Sequence, residues 1–110
     1  MRSRAERLVR SVALATTGLF LAADPVSADD LFDYGAYLAS ECTPCHRLDG
    51  VADRAIPSIV GWPETVFIRA MDGYRRGEMN DEIMENVARS LGDEEIAALA
   101  RYFNQQGNRE

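Results

Sequence analysis

The sequence predicts an all-α fold built as one small domain. Three observations carry this prediction. Apolar residues recur at steps of three and four along four stretches, no stretch alternates apolar and polar residues long enough for a strand, and glycines and prolines separate the stretches. The 110 residues, 46% of them hydrophobic, are enough for a single domain of this kind. We therefore expect four helices joined by loops.

The amino-terminal segment, residues 1–28, has the parts of a secretory signal peptide. Four arginines among the first ten residues precede an uncharged apolar run over residues 12–23, and the small residue Ala28 closes the segment. The apolar run is shorter than the roughly 20 residues that span a bilayer, which disfavours an uncleaved anchor. We predict cleavage after Ala28, export to the periplasm, and a mature domain over residues 29–110 without a membrane span.

The first predicted helix covers residues 30–41, with Asp29 or Asp30 as its N-cap. The second covers residues 63–75 and opens with Pro63, because proline is favoured in the first turn of a helix. Apolar or small residues follow helical spacing in both, at Leu31, Tyr34, Gly35 and Leu38 in the first helix and at Phe67, Ala70, Met71 and Tyr74 in the second.

The third predicted helix covers residues 80–90, with Asn80 as its cap, and the fourth covers residues 93–106 and ends at Gly107. Gly35 and an aromatic pair near the end of the fourth helix mark the expected crossing of the first and last helices. The apolar stripes of the third and fourth helices consist of Ile83, Val87 and Leu91, and of Ile96, Leu99, Ala100 and Phe103.

Both cysteines and the single histidine of the chain lie in the segment Cys42-Thr43-Pro44-Cys45-His46. This C-x-x-C-H spacing is the signature of covalent c-type haem attachment. Two thiols at this spacing add to the two vinyl groups along one edge of a porphyrin, and the next residue presents an imidazole to the iron. A cofactor also suits a mature chain of this size, because such a small domain buries only about 60% of its unfolded surface. We predict one covalently attached haem c, with His46 as an iron ligand.

Two other uses of this cysteine pair remain open from the residues alone. A thiol redox pair or a disulfide would use the same C-x-x-C spacing, but such redox motifs sit beside a sheet, and no strand is predicted here. A zinc site would need a fourth ligand beyond Cys42, Cys45 and His46.

The chain resembles bacterial class I cytochromes c over essentially the whole predicted mature domain. The CTPCH segment and the ending LGDEEIAALARYF carry this resemblance. The segment IPSIVGWP, followed by YRRGE and by a Met seven residues before the Leu of LGDEE, is most similar to the short cytochrome subunit of flavocytochrome c sulfide dehydrogenase and to related sulfur-oxidation cytochromes. The chain departs from the pattern at Gly92, where a Ser cap is common, and at Arg47, where a Gly often follows the His.

The resemblance implies a methionine as the second iron ligand, and three methionines of the mature domain compete for that role. Met84 lies at the implied spacing and off the stripe of the third helix, so it is preferred. Met79 lies in a turn and stays open as an alternative. Met71 shares the apolar stripe of the second helix, where a core role is the commoner one.

Two loop residues have implied roles in the same site. The resemblance implies that a loop proline carbonyl accepts the second ring proton of His46, and Pro57 matches that proline; the alternative is an ordinary turn residue. Trp62 either donates its indole N–H to a haem propionate or packs as a core residue.

The function that the resemblance implies is single-electron transfer in the periplasm. An iron with both axial positions filled has none left for a substrate, so we predict no catalytic residue, and any enzyme activity would belong to a partner. The expected partner is a redox protein: a flavoprotein subunit of a sulfide dehydrogenase, or the partner of a free carrier. The alternative is a haem protein with an open iron position that acts as an enzyme or a small-ligand sensor.

The charge of the chain restricts the partners further. It has 12 arginines, no lysine and 18 acidic residues, for a net charge of −6, and the predicted mature domain reaches −8. Nucleic acid is excluded as a partner because phosphate binding needs clustered positive charge. We expect a basic or neutral partner surface and association that slows as salt is raised.

Overall fold

A computed structural model describes residues 13–53 and 55–108. Its helices are α1 (Ala28–Leu38), α2 (Glu64–Arg75), α3 (Glu82–Arg89) and α4 (Asp93–Gln106), with a 3-10 turn at Ala39–Glu41. The β-structure of the described residues amounts to an isolated bridge between Asp53 and Ile56. The predicted all-α class is confirmed, and none of the described helices combines the length and the apolar character needed to cross a membrane.

Helix α1 begins earlier than predicted. Its N-cap is Ser27, whose hydroxyl accepts a hydrogen bond from the Asp30 N–H at 3.0 Å, so the predicted cap at Asp29 or Asp30 is wrong. The helix ends at Leu38, and the three residues predicted as its last turn form the tighter 3-10 turn. Residues 13–27 precede α1 without helical structure, and the basic start of the predicted signal peptide lies outside the described residues. The boundary after Ala28 stays a prediction.

Helices α2 and α3 are slightly shorter than predicted. Pro63 is the N-cap of α2 and not its first helical residue. Asp81 caps α3 by accepting the Met84 N–H at 2.9 Å, so the prediction of Asn80 as the cap is wrong. Ile83, expected on the apolar stripe of this helix, is 75% exposed and borders an open cavity together with Val87, whereas Ala88 is the buried residue of α3.

Helix α4 has the predicted bounds. Gly92 is its N-cap and has no side chain to offer, but the Glu95 carboxylate accepts the Gly92 N–H at 2.7 Å and so satisfies the exposed amide. Gly107 ends the helix as predicted.

Helices α1 and α4 cross at Gly35, as the sequence predicts. A Cβ atom placed on Gly35 would lie 2.1 Å from the Ala98 carbonyl oxygen and 2.8 Å from the Tyr102 Cβ. The missing side chain therefore lets the two backbones touch. The Phe32 and Tyr102 rings, with centroids 5.4 Å apart, pack beside this crossing.

The core is formed mainly by α4 and α2. Ile96, Leu99 and Phe103 of α4 are fully buried, and Phe67 and Met71 of α2 are nearly so. The rings of Phe67 and Phe103 stack with centroids 5.9 Å apart. This packing forms one wall of the cavity described next.

Candidate cofactor site

A single cavity brings together the residues that the sequence nominated for cofactor binding. It has a volume of about 160 Å³ and is partly open to solvent. Its walls come from the segment after α1, the loop before α2, and the inner faces of α2, α3 and α4. The nominated residues that line it are Cys42, Cys45, His46, Pro57, Trp62 and Met84.

The cysteine segment is a compact turn that continues from the 3-10 turn. The Cys42 carbonyl accepts the Cys45 N–H at 3.1 Å and the His46 N–H at 2.8 Å, while the Cys42 N–H itself donates to Ala39. These backbone bonds fix the two thiols and the imidazole relative to one another. Cys42 is half-buried, Cys45 is exposed at the cavity, and His46 is 8% exposed.

The His46 ring is held by the loop before α2. Its Nδ1 lies 2.8 Å from the Pro57 carbonyl oxygen, the contact that the resemblance implied. Because a carbonyl oxygen only accepts, Nδ1 carries the proton and donates it. The Nε2 atom is then the one with a lone pair free to bind a metal.

The three candidate methionines occupy different places. Met84 is half-buried and lines the cavity, and the Asp81 cap fixes its backbone N–H at the start of α3. Met71 also lines the cavity but is 5% exposed and belongs to the core. Met79 is 40% exposed and lies outside this lining, against Gly73, where an added Cβ would be 3.1 Å from the Met79 Cγ.

The remaining walls are apolar and come partly from residues that sequence reasoning missed. Ile59 is buried at the cavity, and Ala70 and Tyr74 extend the wall that α2 contributes. Trp62 is half-buried, and its carbonyl accepts a hydrogen bond from the Asn104 amide. The helical spacing of apolar residues in α2 predicted Ala70 and Tyr74 on its buried side. No local sequence pattern marks Ile59 or Asn104.

The thiol environment argues against a dithiol redox site. Burial and, to a lesser extent, the nearby Glu41 carboxylate raise the pKa of Cys42 to about 11. Reactive thiols of redox motifs have lowered pKa values, so Cys42 is in the opposite kind of environment. A closed zinc site also lacks support, since the described residues contain no group of three or more His, Cys, Asp or Glu side chains able to hold a metal.

The residues present fit a haem. The cavity is lined mostly by apolar side chains, as a porphyrin face requires. Two thiols lie next to the buried His46 imidazole, whose Nδ1 is already hydrogen-bonded to Pro57. A soft thioether sulfur from Met84 is available on the α3 wall.

The chain is similar to several known cytochromes and electron acceptors. The chain is 33% identical over 89 residues to the cytochrome subunit of sulfide dehydrogenase from Chlorobaculum tepidum, covering 81% of this chain and 79% of the relative. It is 28% identical over 97 residues to the thiosulfate dehydrogenase electron acceptor of Thiomonas intermedia, but spans only 43% of that protein. It is 33% identical over 69 residues to cytochrome c-554(548) of Halomonas halodenitrificans, covering 83% of it.

No protein-family model matches the chain. These three relatives are nevertheless named as cytochromes or as an electron acceptor, and the first of them is matched over most of both chains. Together with the four-helix fold, this similarity shows that the chain belongs to the class I cytochromes c.

Proposed function

We propose that the chain is a periplasmic monohaem cytochrome c that relays single electrons as the haem subunit of a sulfur-compound dehydrogenase. The observation that carries the proposal is the cavity in which both cysteines, the histidine and Met84 meet. Cys42 and Cys45 would attach the haem, and His46 and Met84 would bind its iron. When bound, haem supplies an iron that accepts and releases one electron.

The side chains around the cavity favour that chemistry in three ways. His46 donates its Nδ1 proton to Pro57, which holds the ring in one orientation and raises the basicity of Nε2. Met84 contributes a neutral, soft sulfur, which favours the ferrous state and raises the reduction potential. Ile59, Phe67 and Leu99 exclude water from the interior wall, which also disfavours the more highly charged oxidised form.

The proposed partner follows from the relatives and from charge. One relative is a subunit of sulfide dehydrogenase, and another is an electron acceptor of thiosulfate dehydrogenase. We therefore propose a dehydrogenase that oxidises a reduced sulfur compound, with a flavoprotein subunit as the electron donor. The net charge of the predicted mature domain favours a basic or neutral docking surface on that subunit.

The cofactor is tested by expressing the full chain in a host that attaches haem c and recording a pyridine haemochrome spectrum together with the mass of the denatured protein. We expect a spectrum typical of two thioether bonds and a mass increase of one haem. A colourless, stably folded product with two freely alkylated thiols would contradict the proposal.

The partner is tested by purifying the native protein from its source under gentle conditions. We expect co-elution with a flavin-containing chain and reduction of the cytochrome when sulfide is added. Elution as a lone monomer that sulfide does not reduce would support a free carrier instead. Rapid carbon monoxide binding to the ferrous protein would indicate an open iron position and the alternative function.

A further inference from the structure

The last turn of α4 holds the loop that leads into α2. Asn104 donates from its side-chain Nδ2 to the Trp62 carbonyl oxygen at 2.9 Å. One residue earlier in each of the two segments, the Phe103 carbonyl accepts a hydrogen bond from the Gly61 N–H, also at 2.9 Å. Two adjacent hydrogen bonds thus join segments that are 42 residues apart.

Glycines at this point let the two segments approach closely. Gly61 has a φ of +78°, a conformation that side chains disfavour, and a Cβ placed on Gly107 would lie 2.5 Å from the Gly61 Cα. The end of α4 and the loop are therefore in direct backbone contact, which places the loop within reach of the Asn104 amide.

The same loop is held at its other end by the cofactor site. The Pro57 carbonyl accepts a hydrogen bond from His46 Nδ1, and the Trp62 carbonyl accepts one from the side-chain amide of Asn104. Between these two fixed carbonyls lies a short segment that contributes the buried Ile59 and the half-buried Trp62 to the cavity wall. If the Asn104 bond is lost, the hydrogen bonds that still join residues 57–62 to distant described residues are those from His46 to Pro57 and from Gly61 to Phe103, while Ile59 still packs in the core.

We propose that Asn104 is a positioning residue for the cofactor cavity: its amide fixes Trp62 in the wall and keeps water out of the site. This inference rests on the proposed function, since the cavity is taken to hold haem. Without the amide, the Trp62 carbonyl loses its partner and the indole gains freedom. Water that enters beside it stabilises the oxidised, more highly charged iron, so the reduction potential falls.

The test uses the haem-loaded protein and the variant Asn104→Leu, which keeps the size of the side chain but removes both amide donors. Trp62 is the only tryptophan of the chain, so its emission reports on this wall alone. We expect the tryptophan emission of the variant to be stronger, because the indole moves away from the haem that quenches it. We also expect stronger quenching of that emission by acrylamide and a lower reduction potential. Asn104→Gln, which keeps an amide donor, should restore part of each change.

The matched control is Gln105→Leu, which removes an amide from the neighbouring position of the same helix; Gln105 makes no side-chain hydrogen bond within the described part of the chain. If Asn104→Leu matches this control in emission, acrylamide quenching and potential, the inference is overturned. If Asn104→Leu does not fold, Asn104→Gln and Asn104→Asp decide the matter in the same assays, and indistinguishable values for those two overturn it as well. A chain that folds but attaches no haem contradicts the proposed function, while acrylamide quenching of Trp62 still tests the role of Asn104.

Discussion

Among the methionines of the described residues, only Met84 both lines the cavity and has its backbone N–H fixed by a helix cap. It lines the cavity, and it stands at the start of α3, where Asp81 holds its backbone N–H. Met71 lines the cavity but is packed into the core, and Met79 lies against Gly73 outside that lining. Met84 is therefore the methionine that best fits the role of an iron ligand.

We predict that Met84→Ala removes the absorption band at the red end of the oxidised spectrum, which reports sulfur bound to ferric iron, and lowers the reduction potential. The cause is the loss of a soft neutral ligand. Met79→Ala is the matched control and should leave both the band and the potential unchanged. A band that survives in Met84→Ala and disappears in Met79→Ala would assign the ligand to Met79.

In the loop after His46, the surroundings of Asp49 lower the pKa of its carboxyl group. Asp49 forms an ion pair with Arg47 and accepts the Val51 N–H at 3.0 Å. The hydrogen bond and charge of Arg47, together with that amide, lower the pKa of Asp49 below its ordinary 3.8. Because the folded pKa is lowered, any stability it contributes is present above the ordinary pKa and is lost as the pH falls through the folded value.

We therefore predict that the Asp49 carboxyl carbon, followed by NMR during an acid titration, changes its shift at a lower pH than the carboxyl of an unpaired aspartate. Arg47→Gln removes the ion pair and should move that midpoint upward, toward the ordinary value. Arg69→Gln removes an arginine that forms no ion pair within the described residues and serves as the control. Equal Asp49 midpoints in the two variants would show that Arg47 does not set this pKa.

At the scale of whole elements, the crossing of α1 and α4 depends on one absent side chain. A methyl group at Gly35 would meet the Ala98 carbonyl, which belongs to the backbone of a fully buried part of α4 and cannot rotate away. The helices must then separate, and the core contacts between them are lost.

We predict that Gly35→Ala lowers the free energy of unfolding by about 1–3 kcal/mol, the usual range for overpacking. This happens although alanine is the better helix former by about 1 kcal/mol. Urea unfolding of the haem-loaded protein measures the effect, and Ala36→Ser, at an exposed position of the same helix, should change it by less than about 0.5 kcal/mol. A Gly35→Ala variant as stable as the parent protein would mean that the helices do not cross there.

Helix α3 offers a second test, since the sequence predicted Asn80 as its cap and the structure has Asp81 there. We predict that Asp81→Ala lowers the free energy of unfolding by about 1 kcal/mol, because the Met84 N–H loses its acceptor. Asn80→Ala should have almost no effect, and Asp81→Ser should keep most of the stability. The reverse ranking in urea unfolding would place the cap at Asn80.

Helices α1, α3 and α4 show what the sequence could and could not predict. The periodicity located the four described α-helices, and the last residue of α4 was predicted correctly because Gly107 ends the helix. The starts of α1 and α3 were misplaced because several cap-forming residues lie side by side, and only three-dimensional reach decides which oxygen meets an amide. Of the cofactor cavity, the motif residues were predictable from spacing, whereas the contact of Asn104 with Trp62 joins distant segments and leaves no local pattern.

At the scale of the molecule, the distribution of charge is the property with the clearest consequence. Five of the six arginines in the described residues form ion pairs with carboxylates, at Arg47, Arg75, Arg76, Arg89 and Arg101. The chain as a whole carries more acidic than basic residues. Ion pairs thus neutralise most of the described arginines, and the net charge of the chain is negative.

We predict that the rate at which a small cationic metal complex oxidises the ferrous protein falls by roughly tenfold or more as salt is raised, because screening removes the long-range attraction. An anionic complex of similar size is the control, and its rate should rise with salt. Stopped-flow absorption of the haem measures both rates. Opposite salt dependences would show that the accessible surface near the haem is basic.

The start of α1 has a consequence for the order in which the protein matures. Ser27 caps the helix and Ala28 is its first residue, so the bond predicted to be cut, between Ala28 and Asp29, is already coiled in the folded chain. Peptidases take their substrates as extended strands, and a coiled bond does not fit such a cleft. If the leader is cut after Ala28, as predicted, we expect the cut to precede closure of the domain, and the mature helix then to begin at its own acidic residues.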